Sequence, residues 1–335
     1  MIDHINRITL LTRNEVRLEH IQAEYEHRLR ALEYFERTEL SHQRQEYDSI
    51  KADISPPAYD EAFYLIYSRT YPGTGKWILK DPDFNKWLEI SDLSTQLLWL
   101  QGIPGAGMSS YDKFLLNVLT MRKGKTYLSG TVITEARRHG KAIYAFLSHA
   151  ARKTTLALSI LHSLVFQLAS NDDTIQGSLV ESTRENLKSS IEAATSLLTS
   201  LLHCTGAAYI VIDGLDEIAE LERCQLIKQL MQVSISCKEA KILISSRPEF
   251  DISEALKDKA TIIRVDHKNS GSIQTYVNQR KLIWFGQRHF LPEGRSQIER
   301  LLAPIAWKSK GNPPCSLCTY YEIAVVIHNY MWLRL

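Results

Sequence analysis

The sequence predicts an α/β fold in which a mostly parallel sheet lies between layers of helices, and three observations predict it. From residue 97 onward, short apolar runs alternate with helical stretches: LLWL (97–100), AIYAFL (142–147), AAYIVID (207–213), KILISSRP (241–248) and TIIRV (261–265). Between them, TLALSILHSLVFQLA (155–169) and ELERCQLIKQLMQ repeat apolar residues at three- and four-residue steps, the period of a helix buried on one side. Several of the strand-like runs stop at glycine, acids, serines or arginine, and an alternating chain of this kind gathers such ends along the ligand-binding edge of its sheet.

The elements follow in order. Residues 1–54 form an N-terminal helical segment, one long surface helix or a helical hairpin, because Leu18, Ile21, Tyr25, Leu29, Leu32 and Phe35 recur at three- and four-residue steps among Glu, Arg and His. That stripe either pairs with a partner helix in a coiled-coil-like way or folds onto its own domain. Ser55-Pro56-Pro57 breaks the helix and begins a linker and lead-in over 55–96, which carries a Gly-Thr-Gly turn and the aromatics Trp77, Phe84 and Trp87. The alternating domain spans 97–290. Residues 291–335 form a truncated helical region whose last part, KGNPPCSLCTYYEIAVVIHNYMWLRL, departs abruptly from the preceding pattern.

Composition limits the partners. The 335 residues carry 40 basic and 38 acidic side chains, a net charge of +2, so the overall balance favours neither nucleic acid nor an anionic membrane. The first residues are charged and lack an apolar signal region, and no apolar run reaches the ~18 residues of a membrane span; a cytoplasmic chain is expected. Five cysteines in a chain of this length point to reduced thiols, and Cys315 and Cys318 form a lone C-x-x-C without a second ligand pair.

Chemistry concentrates at three strand ends. In LLWLQGIPGAG, Gly102, Pro104, Gly105, Ala106 and Gly107 follow a buried-strand candidate at the G-x-x-x-x-G spacing of a phosphate-binding loop. AYIVIDGLDE delivers Asp213, then Asp216 and Glu217; one carboxylate suits a hydrated metal ion and a second acid suits the orientation or deprotonation of water. The plain alternative is an acidic turn in which Asp213 caps the next helix. Arg247 in KILISSRPEF has the permanent, forked charge that contacts a γ-phosphate.

LLWLQGIPGAG, AYIVIDGLDEI, KILISSRPEFDI and SIQTYVNQR, in this order, resemble the NACHT-type P-loop NTPase of fungal NOD-like and STAND proteins, the group also called nephrocystin-3-like in its N-terminal domain. YPGTGKWILKDPDFNKWL is similar to the lead-in of that group, so the resemblance covers roughly residues 60–310. It implies a P-loop NTPase three-layer sandwich acting as an ATP- or GTP-dependent signalling switch with Mg2+. In that reading Asp216, Glu217 and Arg247 act in catalysis and sensing, while Asp213 and a loop hydroxyl hold the metal. Protein partners or self-association through the NTPase domain and the N-terminal helix are implied too, along with C-terminal repeats that this chain does not show. The competing reading is a non-catalytic interaction scaffold that retains the fold.

The loop departs from the pattern at one position. Met108 stands where a lysine is required, yet Gly124-Lys125-Thr126 occurs downstream, and removing the 17 residues 108–124 joins Gly107 to Lys125 as a complete G-x-x-x-x-G-K-T. Residues 108–124 therefore read as an insertion, with a retained intron, a degenerate loop and a functional insertion as its possible origins. If the 13 residues YDKFLLNVLTMRK became helical they would span ~20 Å. Lys125 would then leave the site unless the insertion looped back. Closure on Met108-Ser109 instead would leave Ser109 as the metal-ligand candidate in place of Thr126. Either outcome predicts weak nucleotide binding and little hydrolysis.

Overall fold

The computed structural model describes residues 2–70, 73–102, 124–149, 156–170, 172–181, 184–268 and 291–302, with a few single positions between 275 and 286. The chain divides into two compact units, Met1–Ser55 with Ala169–Arg184, and Pro56–Leu168 with Glu185–Leu335. No local pattern marks residues 169–184 as grouping with the N-terminal helix.

In the first unit, α1 (Ile2–Ile54) is one continuous 53-residue helix, so the hairpin alternative does not hold. Its surface carries Glu-before-Arg pairs at i,i+4, Glu24 with Arg28 at 2.7 Å and Glu26 with Arg30 at 3.4 Å, the orientation that supports a helix best. Tyr47 and Ile50 are buried, and α1 packs against the short helix Asp173–Glu181. Arg44 forks onto Asp173, Nη2 to Oδ2 at 2.7 Å and Nε to Oδ1 at 3.3 Å. The predicted stripe at Tyr25, Leu29, Leu32 and Phe35 stays exposed. Among the described side chains of this helix, apolar burial occurs at Tyr47 and Ile50, near its C-terminal end; Leu18 and Ile21 of the predicted stripe lie outside them.

The second unit is built on five strands, β1 (Leu97–Gln101), β2 (Lys141–Phe146), β3 (Ala208–Asp213), β4 (Ala240–Ser246) and β5 (Thr261–Arg264), ordered β2-β3-β4-β1-β5. Every pairing is parallel. All residues of β3 and β4 are buried, as expected for strands covered on both faces. The crossover from β1 to β2 runs one way across the sheet and those from β2 to β3, β3 to β4 and β4 to β5 run the other. With right-handed crossovers, the helix after β1 covers one face and the helices after β2, β3 and β4 cover the opposite face. The result is the predicted three-layer α/β sandwich of P-loop NTPase type. Neighbouring strands β1 and β4 send their chains to opposite faces, which opens a crevice at their carboxyl ends.

The lead-in closes the other end of the sheet. Helix α2 (Asp60–Arg69) and helix α3 (Pro82–Leu88) belong to it, and Asp81 caps α3 by accepting from the N–H groups of Asp83 (3.1 Å) and Phe84 (3.4 Å), with proline in the first turn. Phe84 and Trp87 are fully buried; the Trp87 indole donates to the Ile242 carbonyl at 3.0 Å, and the Tyr209 hydroxyl donates to the Leu88 carbonyl at 2.5 Å. Lys241 is fully buried and donates to the carbonyls of Asp92 and Thr95. Burial pushes its pKa down, and the carbonyl oxygens supply the partners that a buried ammonium requires.

The edge strand β2 is covered by a side chain. Gln167, on the helix Ala157–Ala169, accepts from the Tyr144 N–H at 3.0 Å and donates to the Tyr144 carbonyl at 2.8 Å. Its amide thereby occupies strand hydrogen-bonding groups that would otherwise be open to another chain. No helix among the described residues is long and apolar enough to cross a membrane.

Candidate functional site

The carboxyl ends of β1, β4 and β3 form a line set by register, since Gln101 lies opposite Ser246 and Ser245 opposite Asp213. Two backbone bonds extend that line beyond the strands, Gly102 N–H to the Ser246 carbonyl at 3.2 Å and Gly214 N–H to the Ser245 carbonyl at 2.9 Å. Gly214 adopts the left-handed conformation (φ 80°), and a Cβ there would meet the Leu147 carbonyl oxygen at 2.8 Å. Glycine therefore allows the chain to turn sharply after Asp213 and return the acids of the Leu215–Glu217 turn to the crevice.

The first turn of helix α4 (Gly124–His139) faces these strand ends. Lys125 lies there, with Nζ 3.5 Å from the Gly102 carbonyl oxygen and 3.9 Å from Oδ1 of Asp216. The fit against Gly102 is close, because a Cβ on that glycine would lie 2.5 Å from Cδ of Lys125. The Ser129 hydroxyl donates to Oδ1 of Asp213 at 2.8 Å, and Thr126 is a further hydrogen-bond partner of the same carboxylate. The helix N-terminus adds partial positive charge.

Asp213 is 4% exposed. Burial pushes its pKa above the ordinary 3.8, while Ser245, Thr126 and Ser129 and the charge of Lys125 pull it back. Asp216 holds two cations: Arg247 Nε lies 3.1 Å from Oδ2, the Arg247 N–H donates to Oδ1 at 3.0 Å, and Lys125 approaches the same oxygen. Glu217 accepts from the His149 N–H at 3.3 Å, which ties the end of β2 to this turn.

The structure thus brings together Gly102, Lys125, Thr126, Asp213, Asp216, Glu217 and Arg247. Pro104, Gly105, Ala106, Gly107 and Ser109 lie outside the described residues, as do Met108 and the C-x-x-C pair Cys315 and Cys318. The feared separation of Lys125 does not occur. Ser129 was missed by sequence reading; its signal was its position on the face of α4 shared with Thr126, one helical step along.

A family model described as Nephrocystin 3, N-terminal, matches residues 73–123 and 119–247, together more than half of the chain. The match comes in two pieces that overlap at residues 119–123. A search among curated proteins finds no match.

Proposed function

We propose that this chain, which belongs to the Nephrocystin 3, N-terminal, family, is a NACHT-type signalling switch that binds ATP or GTP with Mg2+. The observation that carries this reading is the return of Lys125 to the Gly102 carbonyl at the mouth of the β1/β4 crevice. A phosphate-binding loop requires a lysine that reaches phosphate oxygens from the start of the helix after the first strand, and α4 supplies it despite the insertion at 108–124. That placement answers one ground for the weak binding expected of an interrupted loop, and the affinity itself is read by the titration below.

The oxygen donors suit magnesium. A buried carboxylate on Asp213 and a hydroxyl on Thr126 are hard ligands of the kind that hold a hydrated Mg2+ with substrate phosphates. When bound, the ion neutralises charge on the phosphate oxygens. With nucleotide bound, Lys125 and Arg247 would contact phosphate, Glu217 would orient or deprotonate water, and Asp216 would keep both cations aimed into the crevice. Nucleotide-dependent self-association through this domain and α1 follows from the family reading.

A second reading rests on the same Asp216. It satisfies Lys125 and Arg247 without any ligand, as a non-catalytic interaction scaffold would. Titrating a fluorescent ATP or GTP analogue with Mg2+ into the chain, and into a version lacking residues 108–124, separates the two. The switch predicts saturable Mg2+-dependent binding by both, within about tenfold of each other, a difference of ~1.4 kcal/mol. Absence of binding in both overturns the switch in favour of the scaffold.

A further inference from the structure

We propose that His203, Cys237 and Glu239 form a zinc site at the amino ends of β3 and β4, at the end of the sheet opposite the proposed phosphate crevice. His203 lies in the last turn of the helix Ile191–Thr205, and Cys237 is the C-cap of the helix Glu220–Ser236. Glu239 stands in the short connection from that cap to β4. One donor atom from each of the three residues falls within 4.8 Å of the others.

The spacing approaches that of a metal shell. Cys237 Sγ is 3.6 Å from Oε2 of Glu239, and His203 Nδ1 is 4.0 Å from the same oxygen. Tetrahedral zinc with bonds of ~2.3 Å to sulfur and ~2.0–2.1 Å to nitrogen or oxygen requires ligand separations of about 3.3–3.6 Å. Small rotations of the two outer side chains close the difference. Those side chains are free to make them, at 51% and 52% exposed, whereas Cys237 is buried and fixed.

The backbone already holds the ligands in place. The Cys237 N–H donates to the Val233 carbonyl at 2.8 Å, the Ala240 N–H donates to the Cys237 carbonyl at 3.3 Å, and the Glu239 carbonyl accepts from the Ala208 N–H at 3.2 Å. A thiol, an imidazole and a carboxylate form a borderline donor set suited to zinc and poorly suited to magnesium or calcium. Three protein ligands leave the fourth position to water. Uptake of the ion by the thiol releases a proton. Bound zinc would join the end of one helix to the cap of the next and brace the entry to β3 and β4.

The test uses the full chain, stripped of metal and titrated with Zn2+ against a chromophoric chelator, then with Co2+ read by absorption. The expected result is one ion per chain and a thiolate-to-cobalt charge-transfer band. Cys237→Ala and His203→Asn each weaken binding by about tenfold or more, the scale that changes around metal ligands already reach. Cys204→Ser and the double variant Cys315→Ser/Cys318→Ser retain it. His203 is exposed, so His203→Asn keeps the fold even if Cys237→Ala does not. Failure of the chain to bind Zn2+, binding unchanged in His203→Asn, or binding lost with Cys315 and Cys318 overturns the proposal.

Discussion

The ammonium of Lys125 and the carbonyl oxygen of Gly102 meet at 3.5 Å across 23 positions of sequence. The first turn of α4 therefore lies beside the residue that follows β1, and it places Lys125 at the carboxyl ends of the strands. A consequence is testable at two positions. Lys125→Ala should weaken Mg-nucleotide binding about 30-fold or more, equivalent to losing a charge-assisted contact of ~2–3 kcal/mol, while Met108→Lys should leave it unchanged. Titration with a fluorescent nucleotide reads both, and a gain from Met108→Lys would return the phosphate contact to position 108.

Gly102→Ala tests the same closeness from the opposite side. The added methyl would lie 2.5 Å from Cδ of Lys125, and no other contact within 3.0 Å is formed. The side chain gives way rather than the backbone. Nucleotide affinity should fall with little change in melting temperature, and a large drop in melting temperature with affinity intact would contradict the assignment.

On the proposed function, Asp213 would carry a conflict between folding and binding. Burial raises its pKa above 3.8, so the folded state holds its proton more tightly than the unfolded chain does. Stability contributed by the neutral acid is present below 3.8 and is lost as pH rises through the higher folded pKa. Asp213→Asn should therefore raise the melting temperature at neutral pH and abolish the Mg2+ dependence of nucleotide binding. Differential scanning calorimetry with and without the ion checks both halves.

His162 gives the opposite slope. It is buried, its Nε2 lies 2.7 Å from the Leu187 carbonyl, and burial lowers its pKa from 6.5. The unfolded chain therefore binds more protons just below pH 6.5, and stability present above that value declines as pH falls toward the folded pKa. Urea midpoints measured from about pH 7.5 to pH 5 should fall in the native chain. The decline should flatten in His162→Gln.

Much of this architecture was legible because strand and helix periods differ. LLWL, AIYAFL, AAYIVID, KILISSRP and TIIRV became β1 to β5 within a residue or two at each end, since buried parallel strands read as continuous apolar runs. Asp213, Asp216 and Arg247 were legible as the polar stops of those runs. Their partners were not. No local pattern indicates that Asp216 would bond the backbone of Arg247, or that Lys241 within an apolar strand would find carbonyls at Asp92 and Thr95, because both depend on which strands become neighbours. Gln167 was hidden for the same reason.

Gln167→Leu should show what that side chain does. Removing its amide leaves the Tyr144 N–H and carbonyl without the partners they have now, at a cost on the order of 2–4 kcal/mol. The open strand edge should also promote association. Denaturant unfolding and light scattering would record the two effects, and an unaffected midpoint would show that solvent replaces the amide.

The position of β4 between β1 and β3 also sets a timetable for synthesis. The strands that end at Gln101 and Asp213 cannot settle side by side as they emerge; each must wait with an unmet edge for a wedge encoded at Ala240–Ser246. At about 5–20 residues per second, β1 waits on the order of ten seconds for its neighbour. A nascent chain halted before that wedge would lack the β1/β4 crevice altogether, because one of its two walls has not yet been made.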